Sequence, residues 1–138
     1  VQLHLRSCPL ELVAQLEVPV WPFVGVGGAM PPWTVRWWPD LPLMLDTLSP
    51  AGAGGTGRAL DLEVARVVAS HRPIWLAGGL GPDNVGLAVS TVRPFGVDAS
   101  SRLEVRPGVK DHGLVTRFVA AARRAAHPPS GDNGARSE

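Results

Sequence analysis

Residues 75–101 read WLAGGLGPDNVGLAVSTVRPFGVDASS, two apolar runs that each end in small residues. The first run stops at the pair Gly78 and Gly79, and a Pro-Asp-Asn helix start follows. The second run stops at Asp-Ala-Ser-Ser. Glycine amides approach an anion closely because no Cβ stands in the way, and serines add hydroxyl and amide donors. The pattern is typical of the last two strands of a (β/α)8 barrel whose loops together hold a phosphate.

Strand and helix signals alternate five times along the chain, which predicts parallel strands joined by right-handed crossovers. The predicted strands cover residues 1–4, 18–26, 41–46, 73–77 and 96–99. The predicted helices cover residues 9–16, 32–38, 60–70, 82–92 and 113–126. A glycine-rich loop at 47–57 and a disordered polar tail at 127–138 complete the organisation. This rhythm alone fits a barrel and a doubly wound sheet equally well.

The composition argues against several classes of partner. The 138 residues carry a net charge of +1, which gives no electrostatic case for nucleic acid or an anionic membrane surface. No apolar run reaches the roughly 18 residues that a membrane span needs. The single cysteine, Cys8, forms no internal disulfide, which fits the cytoplasm. The histidines lack ligand spacing, so no metal is expected.

Six motifs resemble, in order, the C-terminal part of phosphoribosylanthranilate isomerase, an enzyme family of tryptophan biosynthesis. They are VQLH at 1–4, LMLDT at 43–47, GAGGTGRALD at 52–61, LAGGLGPDNV at 76–85, RPFGVDASS at 93–101 and RPGVKD at 106–111. The resemblance implies an α/β fold, a partial (β/α)8 barrel over residues 1–126. Its five or so βα units would correspond to strands four to eight of the family, with the N-terminal strands missing.

The resemblance also implies a reaction. The family carries out an Amadori rearrangement, in which N-(5-phosphoribosyl)anthranilate becomes 1-(2-carboxyphenylamino)-1-deoxyribulose 5-phosphate. The expected activity is therefore that of an intramolecular oxidoreductase, an aldose-ketose isomerase. No cofactor is expected, because one acid and one base suffice to move the proton. The expected partner is a small phosphosugar.

Two aspartates follow apolar strands and are candidates for this chemistry. Asp46 ends the strand of LMLDT, where barrel enzymes place catalytic groups and where burial raises a carboxyl pKa. By resemblance, Asp46 is the general acid that protonates the furanose ring oxygen, and Asp98 contacts the anthranilate amine or a sugar hydroxyl. The alternatives are structural, with Asp46 capping a helix or turn and Asp98 bonding loop amides.

The resemblance assigns the remaining site residues to the phosphate and to the substrate pocket. Two glycines and two serines form the predicted phosphate cradle: Gly78, Gly79, Ser100 and Ser101. The alternative is a pair of tight turns in which the glycines supply positive φ. Gln2 and His4 alternate onto one face of their strand, and the resemblance places them in the substrate pocket. The alternative is a buried histidine whose hydrogen bonds are satisfied by a neighbour.

Two departures from the family bear on activity. Arg102 stands where the family has glycine, and it either adds a charge-assisted contact to the phosphate or brings its Cβ against the loop backbone. The family's general base is a cysteine in a K-x-C-G motif that this sequence lacks, and Cys8 is interpreted as a loop thiol. The isolated chain is therefore expected to be impaired. Open sheet edges would also invite self-association.

Two other functions remain open on sequence alone. A non-catalytic half-barrel, a decayed pseudoenzyme, would bind a phosphosugar without turning it over. A different phosphate-binding barrel isomerase would share the two loops, but VQLH and GGTG argue against it.

Overall fold

A computed structural model describes residues 2–4, 15, 17–18, 20–25, 43–46 and 62–128. Five strands form one sheet: β1 (Gln2–His4), β2 (Trp21–Gly25), β3 (Leu43–Asp46), β4 (Ile74–Ala77) and β5 (Gly96–Val97). The described α-helices are α1 (Leu62–Ala69), α2 (Val85–Val92) and α3 (His112–Ala126). Between β5 and α3 lie a 3-10 helix (Ser101–Leu103) and a hairpin of β6 (Glu104–Arg106) and β7 (Val109–Lys110).

The order of the strands distinguishes the two folds that the alternation leaves open. The strands lie in the sheet in chain order, β1-β2-β3-β4-β5, and each neighbouring pair is parallel. A doubly wound sheet reverses its order at a switch point and carries helices on both faces. Here the three described helices pack against the same face. The prediction of a partial barrel is therefore confirmed.

The main core lies between the sheet and these helices. Leu43 and Leu45 of β3 and Ile74 and Leu76 of β4 face the helices, since alternate residues of a strand point to the same side. The helices contribute a set of small and branched side chains and one aromatic ring: Ala65, Val68, Val85, Ala88, Val89, Val92 and Phe118. Burying each of the larger side chains stabilises the fold by about 1.5–3 kcal/mol.

A second, aromatic cluster lies on the opposite face of the sheet. Met44 and Ala77 are buried there, with Trp21 and Trp75 packed against them. The two indole rings stack with centroids 5.1 Å apart, and the ring of Phe95 meets Trp75 edge-on at 5.8 Å. This face of the sheet therefore carries aromatic side chains before the carboxyl ends of the strands, with Trp21 and Trp75 half-buried and Phe95 exposed.

The turn before α2 differs from its prediction. The helix predicted from residue 82 begins at Val85, because Pro82, Asp83 and Asn84 form a turn. The side chain of Asn84 closes this turn by accepting from the N–H of Gly81 at 2.8 Å. The last strand is likewise shorter than predicted and ends at Val97.

The hairpin after the 3-10 helix is absent from the sequence-based prediction. Pro107 and Gly108 form its turn, and Gly108 has a φ of +79° that favours glycine. Asp111 then caps α3 by accepting from the N–H of Leu114 at 2.9 Å. The hairpin therefore sets where the closing helix begins.

Several predictions fall on residues outside the described ranges. These are the helices at 9–16 and 32–38, the loop at 47–57, the thiol of Cys8 and the polar tail beyond residue 128. Self-association through the sheet edges also stays a prediction. No helix in the described ranges is long and apolar enough to cross a membrane.

Candidate functional site

Asp46 and Asp98 lie at the carboxyl ends of β3 and β5, on either side of β4. Asp46 is paired in register with Ala77, and the N–H of Asp98 donates to the carbonyl of Leu76 at 2.8 Å. The neighbours of Asp98 in the chain, Val97 and Ala99, pack toward the helices. Asp98 therefore shares the barrel-interior face with Asp46, and two strand spacings place their Cα atoms about 10 Å apart.

Ala77 occupies the strand position between the two aspartates. Its methyl group is the smallest side chain that a β-carbon allows, so it leaves space between the flanking carboxylates. Asp46 is half-buried and Asp98 is exposed. The arrangement allows one face of a substrate to lie over Ala77 with a carboxylate on each side.

The glycine loop, defined as residues 78–84, follows β4. Gly78 and Gly79 have φ values of +90° and +62°. Residues with a side chain adopt such positive φ values only with strain, whereas glycine adopts them readily. A Cβ built at Gly79 would have no atom within 4 Å, so the space over that residue is open. Asn84 holds the loop by donating from Nδ2 to the carbonyl of Gly79 at 3.0 Å.

The serine loop, defined as residues 98–101, follows β5. Lys110 holds it from the hairpin, because its Nζ donates to the Ser100 carbonyl at 3.0 Å and to Ser100 Oγ at 3.2 Å. The Ser100 hydroxyl thus accepts from Lys110, and its own hydrogen bond to the Glu104 carboxylate is among the contacts that lower the pKa of Glu104. The third Lys110 contact, 2.6 Å to Glu104 Oε1, holds the pKa of Glu104 below its ordinary value, with help from the N–H of Gly108.

Arg102 connects the two loops. Its Nη1 donates to the carbonyl of Gly79 at 3.0 Å, and its Nη2 donates to Asp83 Oδ2 at 2.8 Å. Hydrogen bonding from Arg102 lowers the pKa of Asp83. This pairing therefore contributes to stability above the ordinary carboxyl range, about pH 4, and is lost only as the pH falls through the lowered pKa. Arg102 has no positive φ, so its side chain causes no left-handed strain.

Three backbone N–H groups of these loops have no acceptor among the described residues. Within the described part of the chain, the N–H groups of Gly78, Gly79 and Ser100 donate to no carbonyl or side chain. Unsatisfied backbone donors that are held in place by neighbouring contacts are the groups that bind an anion. The two loops thus bring together the residues that the sequence predicts for a phosphate.

Gln2 and His4 lie in β1, two strands away from β3. The register pairs His4 with Phe23 of β2, which pairs with Met44 of β3. The backbone of His4 is therefore in register with Met44, two residues before Asp46. The predicted contact of Gln2 and His4 with substrate stays a prediction.

Asn84 and Lys110 hold the two loops rather than line them and were not among the residues predicted from the sequence. Arg102 was singled out in the sequence, but not in this holding role. Asn84, Lys110 and Arg102 each bond a carbonyl of a glycine or serine in the proposed cradle. Asn84 and Lys110 both stand within motifs that resemble the family, GPDNV and RPGVKD. Their partners depend on loop geometry that residue spacing does not reveal.

A metal site is not evident in the described ranges. No group of three or more histidine, cysteine, aspartate or glutamate side chains in them is placed to hold an ion. The donors that converge on the site are amides and hydroxyls, which suit an oxyanion rather than a cation.

Comparisons with known proteins agree on one family. The profile described as N-(5'phosphoribosyl)anthranilate (PRA) isomerase matches residues 1–121. The N-(5'-phosphoribosyl)anthranilate isomerase of Haloferax volcanii is 53% identical over 85 residues, which are 60% of this chain and 38% of that protein. The crystal structure of phosphoribosyl anthranilate isomerase from Thermotoga maritima is similar with a TM-score of 0.77 and 35% identity, over 88% of this chain and 60% of that one.

A second solved structure carries a bound ligand. It is phosphoribosyl anthranilate isomerase in complex with reduced 1-(o-carboxyphenylamino)-1-deoxyribulose 5-phosphate, with a TM-score of 0.71 and 31% identity. The match covers 88% of this chain and 58% of that protein, so the chain spans less than two thirds of the relatives it matches. With the profile match over residues 1–121 and the parallel half-barrel, the chain belongs to the phosphoribosylanthranilate isomerase family.

Proposed function

We propose that this chain provides the acid and the phosphate-binding part of a phosphoribosylanthranilate isomerase site. The proposal is supported by the positions of two aspartates and two loops at one edge of the sheet. Asp46 and Asp98 lie on the same face and at the same edge of the sheet as the glycine loop and the serine loop. That edge is the carboxyl end of the strands, where (β/α)8 barrels carry their chemistry.

In this proposal the phosphate binds between the two loops. The unpaired amides of Gly78, Gly79 and Ser100, with the amide or hydroxyl of Ser101, donate to its oxygens. Backbone amides suit this role because they are fixed dipoles that need no reorganisation when the anion arrives. The reduced product bound by a relative carries a 5-phosphate, which such a cradle would accept.

The sugar then extends from the cradle over Ala77, between the two carboxylates. Asp46 donates its proton to the furanose ring oxygen, and the bond from that oxygen to C1′ breaks as the ring opens. Ring opening leaves a C1′–N imine. A base removes the proton from C2′, and the electrons of that bond form a C1′–C2′ double bond while the imine becomes a C–N single bond. The resulting enolamine becomes the ketone when the 2′-hydroxyl loses its proton and C1′ gains one. Asp98 holds the amine or a sugar hydroxyl. The phosphate binds at a distance from the reacting atoms, and this binding orients the substrate against both carboxylates.

The 138 residues do not supply the cysteine that serves the family as general base. The family's cysteine lies in a K-x-C-G motif, which these 138 residues do not contain. Losing one partner of an acid–base pair costs about 10²–10⁴-fold in rate. The chain is therefore proposed to bind the phosphosugar well and to turn it over slowly.

The test is a rate measurement with N-(5'-phosphoribosyl)anthranilate under single-turnover conditions, with the chain in excess. Typical enzymes turn over at about 10 s⁻¹, so the expected rate is well below about 1 s⁻¹ but above the uncatalysed rate. A rate above about 1 s⁻¹ would contradict the proposal that these 138 residues do not supply the general base. Saturable phosphosugar binding with no turnover at all would instead favour the non-catalytic half-barrel.

A further inference from the structure

Arg102 reaches back across 23 positions of the chain to bond the loop after the preceding strand. Gly81 makes this reach possible. A Cβ at Gly81 would lie 3.2 Å from Arg102 Cζ and Nε and 3.0 Å from Asp83 Oδ1. A side chain at position 81 would therefore press on both partners of the ion pair.

The guanidinium is engaged on protein groups rather than presented to an anion. Its Nη1 donates to the Gly79 carbonyl and its Nη2 donates to the Asp83 carboxylate. The negative charge of Asp83 offsets the positive charge of the guanidinium. Two of the donors that a guanidinium would offer to a phosphate are thus already in use.

The Gly79 carbonyl is held by two donors at once, Asn84 Nδ2 and Arg102 Nη1, each at 3.0 Å. Because the peptide unit is planar, fixing this oxygen fixes the whole plane between Gly79 and Leu80. The Asn84 contact lies within the glycine loop, whereas the Arg102 contact comes from the residue after the serine loop. The Arg102 side chain therefore ties the glycine loop to the end of the serine loop, in addition to the pairing of β4 and β5 that brings the two loops side by side.

We propose that Arg102 is a positioning residue, a clamp that holds the glycine loop and the serine loop at the spacing a phosphate needs. The proposal rests on the proposed function of these loops as a phosphate cradle. A loop that is already ordered loses less conformational freedom when its ligand binds, so the clamp raises affinity without contacting the anion.

The test is the affinity of the full chain for inorganic phosphate, measured by calorimetry on four variants. Arg102→Gln and Asp83→Asn each remove one side of the clamp, and the third variant combines them. Coupled neighbours are not additive, so each single change is expected to weaken binding about 3- to 10-fold and the double change no further. The matched control changes Glu63 and Arg66 to glutamine, which removes an exposed 2.9 Å ion pair on α1. Its phosphate affinity is expected to equal that of the unchanged chain.

The Asp83→Asn variant separates the clamp from direct contact. If Arg102 bound the phosphate itself, removing Asp83 would free the guanidinium, and binding would tighten or stay unchanged. That result would overturn the clamp, as would unchanged affinity in both single variants. Hydrogen exchange gives a second readout, because the hydrogen-bonded N–H groups of Gly81 and Asn84 in the glycine loop are expected to exchange faster in both variants. A full chain that binds no phosphate would instead overturn the proposed function and this role with it.

Discussion

Replacing Asp46 with asparagine is expected to lower the single-turnover rate of the chain by about 10²–10⁴-fold, the usual loss when a general acid is removed. Asparagine has nearly the same shape as aspartate, but it carries no carboxyl proton to give to the ring oxygen. Asp46 is half-buried at the end of β3, in register with Ala77. The substitution should therefore change the chemistry without changing the packing.

The comparison variant is Asp98→Asn, at the other carboxylate of the same face. Asp98 is proposed to hold the substrate rather than to transfer a proton, so its loss should raise the substrate concentration needed for half-maximal rate more than it lowers the limiting rate. Phosphate affinity is expected to stay unchanged in Asp46→Asn. A variant at Asp46 that keeps its rate within a factor of about three would show that another group supplies the proton.

Replacing Gly96 with alanine is expected to destabilise the fold by about 1–3 kcal/mol, the usual cost of forcing an added methyl group into a closely packed contact. The new Cβ would lie 2.6 Å from the ring of Trp75. That ring has little freedom to move, because Trp21 stacks on it and Phe95 meets its edge. Urea unfolding followed by tryptophan fluorescence would measure the change.

Gly86 provides the matched control, because the same substitution there should have the opposite sign. Gly86 lies in α2, and a Cβ would approach only the carbonyl of Ala121, at 4.0 Å. Alanine is a better helix former than glycine, so Gly86→Ala is expected to stabilise the fold by about 0.4–1 kcal/mol. Equal effects of the two substitutions would show that Trp75 does not pack over Gly96 as described.

The fold could be predicted from the sequence because its signals are local. Apolar runs of strand length end in small or acidic residues, and the amphipathic segments between them have the helical period. What periodicity could not distinguish was a barrel from a doubly wound sheet. That distinction depends on strand order, β1-β2-β3-β4-β5, which arises from pairing between segments distant in the chain.

The lining of the candidate site could also be predicted, but its support could not. Gly78, Gly79 and Ser100 stand at strand ends, where their backbone donors are expected. The roles of Arg102 and Lys110 depend on contacts between one loop and the next element. For Arg102, sequence reasoning offered a phosphate contact or a backbone clash. The side chain instead bonds Gly79 and Asp83, because a long side chain reaches partners that position in the sequence does not identify.

The most direct test of the central claim is a titration of the isotope-labelled chain with ribose 5-phosphate, followed by the amide signals in NMR spectra. We expect saturable shifts that are largest at Gly78, Gly79, Ser100 and Ser101. Inorganic phosphate should move the same signals with lower affinity. Absence of saturable shifts, or largest shifts outside the glycine and serine loops, would contradict the claim that these loops hold the phosphate of the substrate.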